Sequence, residues 1–250
     1  MIPSRTLGGR YVLLDGLGRG LIGPLWRAED RVTGRNVAVQ ELPLPATLST
    51  AEHAAFRERL LREARRVGAL ADPGLLGVHD VLHDADTDHV VTELVDAVRL
   101  ADHVAAGGPL GSEEAAGIAR ELLGTLCRAH REELVHGAVR PGAVWLAAEG
   151  RVALSDVGLM RAAEPVLAPA PVGFVAPERL AGGPSTPAAD LWCVGATLAA
   201  TVGDGSTLTD LVGALCAEDP ADRPSADEAL SMLDAAEPAR RRGWWERFRG

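Results

Sequence analysis

The spacing of apolar residues changes near residue 95, and this change constrains the fold of the 250-residue chain more than any other feature. Before it, short apolar runs are separated by turn residues. Tyr11–Leu17 and Leu25–Ala28 flank a glycine turn, and Asn36–Glu41 follows Thr33-Gly34. Leu75–Leu82 and His89–Val95 read as a further strand pair. Only Ala51–Leu70 breaks the pattern. Ala55, Phe56, Leu60, Leu61, Ala64 and Val67 recur there at helical spacing, with Arg and Glu on the other face, and Pro73-Gly74 ends the run. After residue 95 helical spacing dominates. A helix opens at Ser112-Glu113-Glu114, with Ser112 as N-cap, and runs to about Glu133. Asp190–Ala200, Thr207–Ala217 and Ser225–Ala235 read as three more helices. Val144–Ala147 and Val152–Ser155 form a short hairpin, and residues 160–187, rich in Pro, Ala and Gly, read as a loop. A β-rich lobe followed by a helical lobe is an α+β arrangement.

Composition excludes several classes. With 47% apolar and 24% charged residues the chain can bury a core and is not disordered. No apolar run reaches the eighteen residues of a membrane span, and the N-terminus has no apolar signal region. Cys127, Cys193 and Cys216 lie far apart with no CxxC pair, which argues against zinc and disulfides and for a cytoplasmic protein. All 25 basic residues are Arg, so no chemistry that needs a lysine ammonium is available. Residues 240–250 carry five Arg and one Glu, so the preceding 239 residues hold −14 of the net −10. An acidic body is no platform for nucleic acid.

Gly18-Arg19-Gly20-Leu21-Ile22-Gly23 is a G-x-G-x-x-G run between two strands. That setting disfavours a dinucleotide loop, which joins a strand to a helix, and fits a glycine loop that covers phosphates. Val37-Ala38-Val39-Gln40 and Glu63 follow. Further on come Asp72-Pro73-Gly74, Thr92-Glu93-Leu94-Val95, His136-Gly137-Ala138-Val139-Arg140-Pro141-Gly142-Ala143, Asp156-Val157-Gly158, Ala176-Pro177-Glu178, Asp190-Leu191-Trp192 and Pro220-Ala221-Asp222-Arg223-Pro224. In this order, over residues 10–235, the set resembles the bacterial serine/threonine protein kinase family. The resemblance implies a bilobal fold with a small β-rich N-lobe at 10–95, a truncated helical C-lobe at 96–238, and a basic, aromatic tail at 239–250.

The resemblance also assigns roles. Nucleotide would lie against Gly18, Gly20, Gly23, Ala38, Gln40, Glu63, Thr92, Glu93, Val95, Trp145 and Asp156. His136, Glu178, Asp190 and Arg223 would maintain the fold, with Glu178 and Arg223 paired and Asp190 anchoring the catalytic loop. The catalytic positions are degenerate. Gln40 stands where the family has the strand lysine, and its amide could reach a phosphate or Glu63 but carries no charge. Ala138 replaces the catalytic aspartate and Ala143 the asparagine that holds a second Mg²⁺. Asp156 is the remaining candidate metal ligand, and one carboxylate holds Mg²⁺ poorly. Trp145 stands where a leucine usually underlies the adenine; it fills or stacks in the pocket on one reading and packs in the core on the other.

From Asp156 to Pro184 there is no Ser, Thr or Tyr, so phosphorylation cannot activate this loop. The short span between Asp190 and Arg223 implies that the family's helix G is missing. These departures imply a catalytically inactive pseudokinase that acts through protein partners as a signalling scaffold or regulator. ATP or ADP is a vestigial ligand on one reading, and the site a mere remnant on the other. The alternative is a weak or atypical ATP-dependent serine/threonine kinase using Asp156 and an arginine. The tail residues Arg240, Arg241, Arg242, Trp244, Trp245 and Phe248 have three readings: packing on the acidic lobe, docking in a partner, or contact with the inner membrane face. Asp84-Ala85-Asp86-Thr87-Asp88 opens like a calcium loop, but His89 and Val95 stand where Gly and Glu are needed, so it reads as a solvated strand turn.

Overall fold

The computed structural model describes residues 5–20, 23–84, 86–147, 150–163, 172–203 and 206–236. The tail residues Arg240, Arg241, Arg242, Trp244, Trp245 and Phe248 lie outside them. The chain divides into two compact units. One takes the chain up to Ala71, then Leu76–Val95 and a stretch beginning at Ala162; the other takes Asp72–Leu75, Asp96–Arg161 and the C-terminal helices.

The first unit is built on an antiparallel six-stranded sheet. Its strands are β1 (Thr6–Leu7), β2 (Tyr11–Arg19), β3 (Pro24–Asp30), β4 (Arg35–Leu42), β5 (Val78–Asp84) and β6 (Thr87–Glu93), in the order β1-β2-β3-β4-β6-β5. Alternation along the strands sends Leu7, Tyr11, Leu13, Ala28, Val37, Val39 and Val91 into one buried cluster. The helix α1 (Thr50–Leu70) buries Phe56, Leu60 and Val67. It starts at a capping box, in which the Ser49 hydroxyl accepts from Glu52 N and Glu52 accepts from Ser49 N. It stops where Ala71 turns left-handed, at φ 47°.

The second unit holds a three-stranded sheet, β7 (Ala97–Arg99), β8 (Val144–Ala147) and β9 (Val152–Leu154), in that order. Its helices are α2 (Leu100–Gly107), α3 (Ser112–Arg131), α5 (Pro177–Leu180), α6 (Pro187–Thr201), α7 (Thr209–Leu215) and α8 (Ala226–Ala236); the short α4 (Leu159–Ala163) crosses from this unit into the first. Helix α3 lies at the centre, nearly covered over Ile118, Leu122, Leu123 and Leu126, and packs against α6 and α8. Arg128 on α3 grips the buried Asp72 carboxylate, with Nη2 to Oδ1 at 2.9 Å, and ties the Asp72–Leu75 turn to this unit.

Several expectations need correction. Ser112 is the first residue of α3 and Gly111 is its N-cap, which offers no side-chain cap. Leu75 is not in β5; it makes an isolated parallel bridge to Leu154, so the strand begins three residues later. The stretch 160–187 contains most of α4, a 3-10 turn at Val172–Phe174 and all of α5, because Pro177 in a first helical turn starts a helix rather than breaking one. Residues 164–171 lie outside the described set. The turn after β5 is not wholly solvated. The Asp88 side chain is 1% exposed and meets Arg57 Nε at 2.7 Å and His83 Nδ1 at 3.0 Å. Strands β1 and β7 and helix α2 are too short to show a period in the sequence.

Candidate nucleotide site and catalytic-loop remnant

The assigned positions divide between the two units. In the first, β2 runs into the glycine loop and β3 leaves it, closed by a hydrogen bond from Gly20 N to Gly23 O at 2.8 Å. Gly18 has φ +103°, a conformation a side chain would strain. Gly20 and Gly23 are required for close approach. A Cβ on Gly20 would lie 2.6 Å from the Gln40 amide nitrogen, and one on Gly23 would lie 2.3 Å from the Glu41 carbonyl oxygen. The buried Gln40 amide therefore lies against the loop, and Ala38 is buried two residues earlier on β4.

Among the described residues the Glu63 carboxylate meets Arg66 on its own helix, with Oε1 to Nη1 at 3.7 Å. Its Oε2 is buried without a hydrogen bond. Thr92 pairs with Ala38 across β4 and β6. Glu93 exchanges bonds with Gly77, accepting from Gly77 N on Oε1 at 2.9 Å and donating its own N–H to Gly77 O at 2.9 Å. Val95, half-buried, follows β6.

In the second unit, Asp190 on α6 organises the segment that would be catalytic. Its Oδ2 accepts from His136 N and its Oδ1 from Gly137 N, both at 2.8 Å, and Oδ2 also meets His130 Nε2 at 2.9 Å. His136 is wholly buried, its Nδ1 accepts from Ala138 N at 3.2 Å, and burial pushes its imidazole below the ordinary range. The loop backbone is thus held in place, while Ala138 and Ala143 present only methyl groups and are 1% and 0% exposed. Asp156 sits left-handed at φ +64°, accepts from Ser155 Oγ at 2.9 Å, and is pushed up in pKa by burial.

The Trp145 indole on β8 lies under the Arg99 guanidinium, 4.9 Å from its ring centroid, because β7 and β8 pair these two residues. Arg99 left no local signal in the sequence; only strand register brings it to Trp145. Arg140 folds back over Gly142, where a Cβ would lie 2.3 Å from its Nη1. Its Nε is buried without a hydrogen bond, and its charge is attracted by Asp156 and repelled by Arg99.

Mg²⁺ does not fit these residues. Ala143 supplies no ligand, no group of three His, Cys, Asp or Glu among the described residues could hold a metal, and the neighbours of Asp156 include cationic Arg140 and Arg99. Elsewhere in this unit, Arg223 clasps Glu178 through Nη1 to Oε1 at 2.7 Å and Nη2 to Oε2 at 2.8 Å.

A strand-borne glycine loop, an aspartate-anchored catalytic-loop backbone, and a buried Arg–Glu clasp define a protein kinase-like domain. The chain belongs to the protein kinase domain family, whose model matches residues 11–206. It is similar to the serine/threonine-protein kinase PknA of Mycobacterium tuberculosis, 33% identical over 201 residues, covering 76% of this chain and 46% of that protein. It is also similar to the serine/threonine-protein kinase PrkC of Bacillus subtilis, 26% identical over 204 residues, covering 79% of this chain and 31% of that protein. A probable serine/threonine-protein kinase of Streptomyces coelicolor is 32% identical over 166 residues, 65% of this chain and 24% of that protein. The chain therefore spans less than half the length of these relatives. No helix among the described residues is long and apolar enough to cross a membrane.

Proposed function

We propose that this protein is a non-catalytic member of the kinase family that works through protein contacts, as a scaffold or regulator of a signalling partner, and keeps nucleotide as a ligand rather than a substrate. One observation carries the reading: Asp190 holds the loop backbone through His136 and Gly137, yet Ala138, in that loop, is a buried methyl with no proton acceptor. Phosphoryl transfer depends on positioning and charge stabilisation. Replacing the lysine with Gln40, the base with Ala138 and a metal ligand with Ala143 removes three contributors. At about 3 kcal/mol for each preorganised contact, little rate remains.

The arginine- and tryptophan-rich tail, opposite in charge to the acidic body, is the proposed contact for a partner, with packing on its own lobe as the alternative. The test is transfer of labelled phosphate from ATP to a generic protein substrate and to the chain itself, with Asp156→Ala as control. Equal background from both proteins supports the reading. Turnover in the wild type that Asp156→Ala abolishes overturns it in favour of an atypical kinase. Binding to anionic vesicles that is lost in a protein ending at residue 239 supports lipid as the tail's target, and no binding by the intact protein removes the membrane reading.

A further inference from the structure

We propose that an acid-rimmed apolar cleft on the second unit is the docking site of the chain's own basic, aromatic segment 237–250 in the protein free of partners. The inference deepens the reading of the tail as a contact segment, by naming the surface that receives it, and stands apart from the reading of the catalytic loop.

The cleft lies where the C-terminal end of α3, the start of α6 and the first turn of α8 meet, and its volume is about 460 Å³. Helix α6 contributes Pro187, Ala188 and Leu191, and the entry to α8 contributes Pro224 and Ala226. These five side chains carry no polar atom, so the interior favours an apolar or aromatic group over an ion. The cations of the lining are already engaged. Arg223 is clasped by Glu178, and Arg131 Nη2 meets both oxygens of Asp227 at 3.1 and 2.9 Å. The first turn of α8 is closed by its own cap, with Ser225 Oγ accepting from Glu228 N at 3.3 Å and Glu228 Oε2 accepting from Ser225 N at 2.8 Å. Neither the arginines nor the helix end is left for an anion.

The rim is acidic. Glu218, Asp219, Asp222, Asp227 and Glu228 are all exposed, while Arg223, the single basic residue between 218 and 228, is buried. Arg131 offsets one of these five charges, which leaves a formal excess of four negative charges beside an apolar interior. A segment that pairs aromatic side chains with several cations complements both features.

The chain carries such a segment on the same helix. Residues 240–250 hold five Arg and three aromatic residues against one Glu. Trp and Arg are the side chains that most often anchor an interface. An indole suits the interior, and guanidinium groups suit the carboxylates of the rim. The reach is sufficient. Helix α8 ends at Ala236 after eleven residues, so the cleft at its first turn lies about 16 Å back along its axis. The segment 237–250 extends up to about 46 Å. Tethering also gives it an effective concentration on the order of millimolar at the cleft, which a second copy in dilute solution does not match.

The experiment places a photoreactive benzophenone amino acid at Trp244, and separately at Trp245, in the full chain, and maps the cross-links by mass spectrometry. Glu218→Gln/Asp222→Asn is studied in parallel, and thermal melts establish that each protein is folded. Both acids are exposed, so the double variant should melt close to the wild type. Cross-links should form within one chain and fall on the peptides that carry residues 187–191 and 223–228. The double variant and high salt should each lower their yield severalfold.

Cross-links that join two chains overturn the inference in favour of a second copy as the occupant. Cross-links elsewhere on the chain, or none, overturn it outright, as does a yield at the cleft that neither the double variant nor salt changes. Phosphate transfer is not read in this experiment, so its failure leaves the non-catalytic reading to its own assay.

Discussion

The Arg223 guanidinium lies within 2.7 and 2.8 Å of both Glu178 oxygens while its own side chain is 0% exposed. Its remaining donors reach the carbonyls of Ala217, Ala188 and Glu218 at 2.8, 3.1 and 3.1 Å. One side chain thus joins α5, the start of α6 and the loop before α8. The carboxylate is held below its usual range by this arginine.

Removing one partner of this pair should be costly. Glu178→Gln or Arg223→Met is expected to lower unfolding free energy by about 3–5 kcal/mol, because the surviving group loses the partner of its buried ion pair. The double variant Glu178→Met/Arg223→Met should recover part of that loss. Urea denaturation followed by circular dichroism checks both.

The glycine loop should be sensitive for a reason of packing. Gly23→Ala drives a methyl against the Glu41 carbonyl and the Pro43 ring, at 2.3 and 2.6 Å before relaxation, and neither can swing away. A loss of about 1–3 kcal/mol is expected. Gly20→Ala meets the end of the flexible Gln40 side chain and should cost less. Thermal melts of the two variants without nucleotide test the order.

Acid should unfold the protein earlier than its carboxylates alone would require. Burial lowers the pKa of His89, which feels Glu41, Arg5 and Asp84, and of His136, which feels Asp190, Asp156 and Arg140. A histidine whose folded pKa is depressed binds its proton more readily when unfolded. Its contribution is therefore present above about pH 6.5 and lost as pH falls below it. Asp156, raised by burial, works in the opposite direction above about pH 3.8. Comparing wild type with His89→Gln between pH 7 and 5 isolates one residue. The variant should lose stability more gently, by up to about 1.4 kcal/mol per pH unit.

Restoring a family residue should not restore chemistry. Ala138→Asp places a carboxylate at a position 1% exposed, and Ala143→Asn an amide at one 0% exposed. Each should cost roughly 1–3 kcal/mol and depress the melting temperature by several degrees. Neither should raise phosphate transfer above background, since Gln40 still lacks the charge.

The order of motifs and the shift from short strands to helices were legible without a structure, because periodicity and turn chemistry are local. So was the chemical deficit: a chain without lysine, with Ala138 and Ala143 in the loop, lacks those groups in any conformation. The helical pieces between 160 and 187 were not legible, since a Pro- and Ala-rich stretch has no amphipathic stripe. The pairings also depended on tertiary structure. That Glu63 turns to Arg66, that Arg99 lies on Trp145, and that Arg140 bends over Gly142 follow from strand register, rotamer and burial. Residue identity determines which chemistry a chain can perform; only packing decides which charges are neutralised internally.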